Sequence, residues 1–229
     1  FLPVKRPMVP QGSDHLVDAF IDSRLKMEDI PTNPPADPLS LIRRASIVLT
    51  GLPPEPDRVR KFLADSKKDS DKAYFELVDE LMSSPHFGER WAQHWLDVIR
   101  WAETNGSESN LYRKLAWVYR DYVIRAFNED KPYDRFLMQQ IAGDELVDYS
   151  DESAITPEVY DSLVATGFLR TTPDRTFANI TNFVPDRLEV IADEIQVFSS
   201  TVLGLTLQCA RCHDHKFDPL SQRDYYNLT

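Results

Sequence analysis

The segment of the chain with the most distinctive chemistry is Cys209-Ala210-Arg211-Cys212-His213. It contains both cysteines of the chain, separated by two residues, and a histidine follows directly. This C-x-x-C-H spacing suits a c-type haem, because two thioethers can form to the vinyl groups on one side of the porphyrin while the histidine coordinates the iron. We therefore predict one covalent haem c, tethered by Cys209 and Cys212, with His213 as an axial iron ligand.

Three other uses of the cysteines stay open. A redox-active thiol pair has the same C-x-x-C spacing, but it is typical of a β-α-β context, and strand signals are sparse in this sequence. A structural disulfide would close only a very small loop and would add little stability. A zinc site is chemically sound but unusually tight for a tetrahedral shell, and its ligands would be Cys209, Cys212, His213 and His215.

The second axial position of the iron has no ligand downstream of the motif. Only 16 residues follow His213, and none of the four methionines is among them. His215 is too close in sequence to reach the opposite face of the same haem. We expect a ligand from upstream, from another chain, or a water molecule. A filled position favours electron transfer, whereas an open one favours chemistry on peroxide or oxygen. The upstream candidates, in order of preference, are His94, His86, Met138 and Met82.

Two further haem contacts are predicted near these ligands. Arg90 and His94 are four residues apart in an aromatic segment, so they share one helix face that could border the cofactor. His94 could instead be a buried histidine bonded to a carboxylate such as Asp97, and Arg90 could belong to a structural ion-pair network. His215 is expected to bind a haem propionate or to orient His213.

The composition restricts the partners and the compartment. The chain has 26 Lys and Arg against 37 Asp and Glu, a formal net charge of −11. Such a chain repels phosphates, which argues against nucleic acid and anionic lipid as partners. No apolar run reaches the roughly 18 residues that a membrane span needs. Covalent haem is assembled outside the cytoplasmic membrane, so we expect a periplasmic or otherwise exported protein that meets an unidentified redox partner protein.

The caps, prolines and apolar periodicity predict an all-α, c-type-haem-binding fold. An extended leader is expected over residues 1–12, and one helical domain over residues 13–229. Ser13 is expected to cap a helix over residues 14–27. Asp37 and Pro38 begin another that ends near Gly51, and Asp186 caps a long helix over residues 187–203 that leads to the motif. Further helices are expected at 57–65, 70–83, 89–101, 117–128, 133–142 and 157–166, with loops at 103–116 and 171–185.

Longer segments of the chain carry a family resemblance. The run from Cys209 to Tyr226 is CARCHDHKFDPLSQRDYY, and it is accompanied upstream by LTGLPP, SPHFGERW, HWLD, YRDYVI, FNEDKPY, AGDE and ATGF. Over about residues 15–228 the chain resembles a planctomycete cytochrome-associated domain, the second PSCyt type, which is formally a domain of unknown function. The resemblance implies an exported, helical, haem-associated module, usually at the N-terminal side of a larger planctomycete protein. It also implies a further C-terminal domain in the full-length protein.

The leading interpretation is therefore an exported c-type haem protein that transfers electrons. A haem-dependent oxidoreductase or a carbohydrate-related enzyme of the cell envelope is the first alternative. A non-catalytic structural or zinc-binding module is the second. The sequence leaves the catalytic residues unassigned, because no Gly-rich phosphate loop, G-x-S-x-G turn or H-E-x-x-H pair occurs in it.

Overall fold

The computed structural model describes residues 2–13, 15–106, 110–151, 153, 155–172 and 184–229. Over these ranges the chain forms ten α-helices and no β-strand, and a single antiparallel bridge joins Thr104 to Tyr112. The expected all-α fold is therefore confirmed. No helix in the described ranges is long and apolar enough to cross a membrane. Two compact units divide the chain, residues 1–41 and residues 42–229.

The first unit contains helix α1, Leu16–Met27. Residues 2–9 before it are exposed and not helical. The N-cap position is occupied by His15, and the Ser13 hydroxyl accepts a hydrogen bond from the His15 backbone N–H at 3.4 Å. The predicted Ser13 cap is thus wrong, because this hydroxyl bonds within a turn two residues long and not to the helix. Asp14, the predicted first residue of the helix, lies outside the described residues.

Helix α2, Pro38–Thr50, begins and ends where the sequence predicted. The Asp37 carboxylate accepts the Ser40 backbone N–H at 3.0 Å, which satisfies a helix N-terminal donor. Gly51 follows the last helical residue with φ of 71°. Such a left-handed conformation is accessible to glycine at little cost and terminates the helix.

In the second unit, the C-terminal part of α2 packs with α3, Pro56–Ser66, and α4, Ser70–Met82. The Asp69 carboxylate caps α4 by accepting the Lys72 backbone N–H at 3.0 Å. Apolar side chains at helical spacing on these helices face one another. The resulting cluster consists of Ile42, Ala45, Phe62, Ala73, Leu77 and Leu81.

The largest core lies among α5 (Pro85–Val98), α6 (Ala116–Asn128), α7 (Tyr133–Ala142) and α8 (Pro157–Ala165). A short 3₁₀ helix, Thr166–Arg170, continues directly from α8. The buried residues of this core are Ala92, Leu96, Ile99, Tyr119, Tyr122, Val123, Ala126, Phe136, Ala165, Phe168 and Val197. The core is aromatic at its centre, which explains the density of Trp and Tyr in these segments.

Helix α5 begins four residues earlier than the predicted start at Glu89. The Ser84 hydroxyl accepts the His86 backbone N–H at 3.3 Å, and Pro85 occupies the first helical position. Proline is favoured there because its missing N–H is one of the unsatisfied donors in any case. A Cβ on Gly88 would lie 2.5 Å from the Ile124 carbonyl oxygen, so this glycine permits the close approach of α5 to α6.

Helix α9, Val184–Phe198, continues as a π-helical turn, Ser199–Leu203. The predicted long helix is present, but Asp186 lies in its first turn and not at its cap, because the helix already begins at Val184. The chain then forms a 3₁₀ helix, Leu207–Arg211, and the short α10, Gln222–Tyr226. A third cluster joins these elements through Ile195, Leu207, Ala210 and Tyr225.

Candidate cofactor attachment site

The cysteine motif begins inside the 3₁₀ helix, and this geometry sorts its side chains onto two faces. In a 3₁₀ helix, residues three apart lie above one another. Leu207 and Ala210 are buried in the third cluster, whereas Cys209, within the helix, and Cys212, its C-cap, are both exposed. Both cysteines are free thiols. Both sulfurs are therefore accessible, as covalent attachment to an external group requires.

His213 is exposed, and its ring is oriented by its own backbone. Nδ1 lies 2.8 Å from the Asp214 carbonyl oxygen. Because a carbonyl can only accept, Nδ1 carries the proton, and the lone pair of the neutral ring is on Nε2. A metal-binding histidine commonly donates its other ring N–H in this way, which fixes the tautomer and the ring direction. The lone pair on Nε2 of His213 is therefore not used by any described hydrogen bond.

His215 has the opposite environment, with a side chain only 7% exposed. Its Nδ1 accepts the backbone N–H groups of Asp218 at 2.9 Å and Phe217 at 3.3 Å. Its Nε2 lies 3.3 Å from the Thr206 hydroxyl oxygen. Both ring nitrogens are thus engaged within the chain, and His215 holds the loop after the motif. In the described ranges no three His, Cys, Asp or Glu side chains form a group that could hold a metal ion, so the alternative zinc ligands are not assembled.

The side chain of Arg211 ties the motif to α9. Its guanidinium donates to both carboxylate oxygens of Glu189, at 2.6 and 3.1 Å. The hydrogen bond to Glu189 raises the pKa of Arg211 above its already high usual value. Since the two side chains are partly exposed, this ion pair orients the segment more than it stabilises it.

Helix α10 holds the motif from the other side. The Arg211 carbonyl oxygen accepts the Tyr226 hydroxyl at 3.1 Å and the Gln222 side-chain amide at 3.3 Å. The Gln222 backbone N–H donates to the Asp214 carboxylate at 2.8 Å. These contacts join segments that no sequence pattern relates, although the Ser221-x-x-Asp224 capping box that begins α10 is visible in the sequence.

The predicted distal ligand His94 and its neighbour Arg90 lie on α5. The His94 ring is exposed and meets the Trp91 ring edge-on, with centroids 5.4 Å apart. It is not the buried, carboxylate-bonded histidine considered above, since Asp97 accepts from Gln93 instead. Among the described contacts, no hydrogen bond, ion pair or ring contact joins His94 to the motif. Its role as an iron ligand stays a prediction.

Arg90 is half-buried, and its Cδ is the atom that a Cβ on Gly51 would meet first, at 3.2 Å. Its Nε is buried without a hydrogen-bond partner in the described part of the chain. It therefore packs beside the end of α2, and its expected contact with a cofactor also stays a prediction.

The other upstream candidates have ordinary surroundings. His86 is exposed, and its Nδ1 lies 2.7 Å from the Glu89 carboxylate. Met82 and Met138 are about half exposed, at 49% and 54%. In the ranges the structure describes, no hydrogen bond or ion pair links any of the three to the C-x-x-C-H segment. The structure thus places Cys209, Cys212 and His213 on one exposed segment, and none of the described hydrogen bonds or ion pairs joins the upstream candidates to it.

Comparison with known proteins identifies one family. The sequence model of PSCyt2, described as a protein of unknown function (DUF1549), matches residues 16–229. The match includes all ten helices and the cysteine motif. No curated protein and no solved structure matches the chain.

Proposed function

Because this chain belongs to the PSCyt2 family of proteins of unknown function, we propose its activity from its own residues: it is an exported c-type haem protein that transfers electrons. One haem c is attached through Cys209 and Cys212, and His213 is an axial ligand of its iron. When bound, the haem supplies a reversible one-electron couple whose potential depends on its axial ligands and surroundings.

The arrangement of His213 carries this proposal. Its Nδ1–H donates to the Asp214 carbonyl oxygen at 2.8 Å, so Nε2 is directed to a ligand. The two exposed thiols precede it, Cys209 in the 3₁₀ helix and Cys212 at its C-cap. A thiol pair used only for redox exchange has no need of an adjacent oriented imidazole, whereas haem attachment uses all three side chains.

The surrounding residues fit a surface-attached planar group. The Arg211 side chain ties the segment to α9, and the Arg211 carbonyl oxygen accepts from α10, whereas both cysteines are exposed free thiols. Such a preorganised ligand needs little rearrangement when the iron binds. Because both cysteines are exposed, a group held by them would be accessible to a redox partner.

The second axial ligand is proposed to be His94, and a water molecule or a group from another chain is the alternative. A histidine there gives a six-coordinate iron suited to electron transfer, and an open position suits oxygen or peroxide chemistry. His94→Ala is expected to change the reduced spectrum from six-coordinate to five-coordinate, while His86→Ala leaves it unchanged. Identical spectra for the two variants and the parent would exclude His94 as the ligand.

The first experiment is an absorption spectrum of protein matured in a host that attaches c-type haem. After acid–acetone extraction, we expect a Soret band and, upon dithionite reduction, a sharp α band to stay with the protein. Extraction separates covalent from adsorbed haem, because only the thioether-linked group resists it. A protein without a Soret band under these conditions would overturn the proposal, and thiol titration and zinc analysis would then distinguish the alternatives.

Matched variants identify the residues in the same spectrum. Cys209→Ala and Cys212→Ala each remove one thioether and should lower the yield of covalent haem. His213→Ala should keep the sulfurs but change the spectrum of the iron. His15→Ala, an exposed histidine elsewhere, is the control and should have no effect.

A further inference from the structure

A second candidate site lies away from the cysteine motif. A cavity of about 540 Å³ opens between the loop that follows α5, the start of α6 and the 3₁₀ helix Thr166–Arg170. This volume is within the range of small-molecule sites, roughly 300–1,000 Å³. No residue of the C-x-x-C-H segment lines it, so its ligand is independent of the haem.

One cation in the lining of the cavity has no ion-pair partner among the described residues. Arg113, Lys114 and Arg170 line the cavity, and none of the described lining residues is acidic. Arg113 and Arg170 have partners within the chain. Lys114 is exposed and is in no described ion pair, so its ammonium group attracts a ligand of negative charge.

Arg113 makes the cavity rigid. Its Nη1 donates to the carbonyl oxygens of Arg170 at 3.1 Å and Thr171 at 3.2 Å, and its Nη2 donates to the carbonyl oxygen of Thr172 at 2.5 Å. The guanidinium thus joins one wall of the cavity to the other. It positions the site, and the neighbouring Lys114 and Asn105 are left to meet a ligand.

Asn105 supplies an oriented donor inside the cavity. Its side chain lines the cavity and the residue is only 4% exposed. Its Oδ1 accepts the Nε–H of Arg113 at 2.9 Å. Because a guanidinium has no acceptor, the amide oxygen must face Arg113, and the Nδ2 group is directed elsewhere. That Nδ2 takes part in no described hydrogen bond, so it is a donor from which an anionic oxygen in the cavity can accept.

The remaining walls are apolar or aromatic. The Trp101 indole N–H is already used, because it donates to the Ala116 carbonyl oxygen at 3.2 Å. Leu111, Tyr112 and Leu115 complete this side of the cavity. An aromatic wall beside a few fixed polar groups is the usual composition of a site for a small organic molecule.

We propose that this cavity binds a small organic anion, a carboxylate or sulfonate-like group on an apolar ring or chain. The anionic oxygens contact Lys114 and the Asn105 amide, and the apolar part packs against Trp101 and Tyr112. The shared chemistry would suit a free organic acid or an acidic group on a larger molecule.

Calorimetric titration of the full chain tests the proposal with two matched probes, 2-naphthalenesulfonate and the neutral 2-naphthalenemethanol. We expect the sulfonate to bind one per chain, about tenfold more tightly than the alcohol. Asn105→Asp keeps the acceptor for Arg113 but replaces the donor by a carboxylate. This substitution should lower the affinity for the sulfonate by about tenfold or more. It should change the affinity for the alcohol by less than about twofold.

Charge-matched controls separate a site from general attraction. Asn33→Asp makes the same change at an exposed position and should leave both affinities unchanged. Lys114→Gln should lower the affinity for the sulfonate about fivefold. Lys67 is an exposed lysine at another helix boundary, and Lys67→Gln should not change this affinity. If circular dichroism shows that Asn105→Asp does not fold, the comparison of the two lysine variants tests the site instead. No binding of the sulfonate, equal binding of the two probes, or equal effects of the paired variants would overturn the proposal.

Discussion

At the scale of single residues, two histidines two positions apart have different tasks. His213 is exposed and uses only Nδ1, so its other nitrogen can serve a ligand. His215 is nearly buried and accepts two backbone N–H groups that no other side chain satisfies in the described contacts. Sequence alone places both in the motif region. Only the burial and the hydrogen bonds distinguish the proposed ligand from the residue that holds the loop.

Replacing these two histidines should therefore affect stability differently. His215→Ala leaves two backbone donors unsatisfied and should lower the free energy of unfolding by about 1–2 kcal/mol. His213→Ala should change it by less than about 0.5 kcal/mol, because an exposed side chain is lost. Urea denaturation of the protein without haem measures both, and His215→Asn should recover part of the loss through its amide oxygen. A larger effect at His213 would contradict this assignment.

Gln140 occupies the centre of a buried polar network in the largest core, where it is fully buried. Its Oε1 accepts the Trp95 indole N–H at 3.0 Å and also the Tyr119 hydroxyl. Burial raises the pKa of Tyr119, so this hydroxyl stays protonated and remains a donor. Gln140→Leu should then destabilise the protein by about 2 kcal/mol, because the Tyr119 hydroxyl loses its acceptor and the Trp95 indole N–H keeps only the Tyr119 oxygen at 3.1 Å.

Thermal unfolding with Gln93→Leu as the control measures this effect. Gln93 is exposed on α5 and bonds only to the Asp97 carboxylate, so its loss should cost less than about 0.5 kcal/mol. Equal melting temperatures for the two variants would mean that water replaces the lost acceptor at Gln140.

At the scale of elements, the position of the motif follows from three short pieces of chain. The apolar residues of the 3₁₀ helix are buried, and the cysteines in it and at its C-cap are exposed. Glu189 of α9 accepts from the Arg211 side chain, and Gln222 and Tyr226 of α10 donate to the Arg211 carbonyl oxygen. Short helices are marginal by themselves. Helix α10 has five residues, so its capping box is decisive for its stability and for that of the motif.

Removing the capping box should loosen α10. The Ser221 hydroxyl accepts the Asp224 backbone N–H at 3.2 Å, and Asp224 accepts in return from the Ser221 backbone N–H at 2.8 Å. Ser221→Ala should cost about 1 kcal/mol of stability, as N-cap losses typically do. Amide hydrogen exchange in residues 222–226 should increase, while exchange in α6 stays the same. Unchanged exchange in α10 would show that tertiary contacts alone hold it.

The same capping box makes the stability of α10 depend on pH. Backbone and then side-chain hydrogen bonds from Ser221 hold the pKa of Asp224 below its usual value of 3.8. Because the folded-state pKa is lowered, this stabilisation is complete above the unfolded-state pKa and is lost as the pH falls through the folded-state pKa. NMR titration of the Asp224 carboxyl should therefore give a higher pKa in Ser221→Ala than in the parent. An unchanged pKa would contradict this role of Ser221.

The element boundaries were predictable where a local cap determines them. Asp37-Pro38 and Gly51 enclose α2 as expected, because side-chain capping and a left-handed glycine act within a few residues. The start of α5 was missed although Ser84-Pro85 is the same kind of signal. The packing of α10 against Arg211 was not predictable, since it depends on the spatial meeting of segments that no periodicity encodes.

At the scale of the whole molecule, the excess of acidic residues should govern how electron carriers approach. A formal net charge of −11 produces a negative potential that extends about one Debye length from the surface, roughly 10 Å at 0.1 M salt. Close to the motif the charges are mixed, with Lys216 and Arg223 beside Asp214 and Asp218. The long-range field therefore favours a positively charged redox partner, and the local field favours neither sign.

Electron-transfer rates of the haem-loaded protein with two small reagents distinguish these fields. We expect hexaammineruthenium(III), a cation, to oxidise the reduced protein several-fold more slowly as the salt rises from about 0.01 to about 0.5 M, because screening removes the attraction. Ferricyanide, an anion, should react faster over the same range, because screening removes the repulsion. Stopped-flow absorbance at the α band measures both rates. If ferricyanide instead slows with salt, the positive charges of Lys216 and Arg223 dominate near the haem edge, and Lys216→Gln should then reduce that slowing while Lys67→Gln does not.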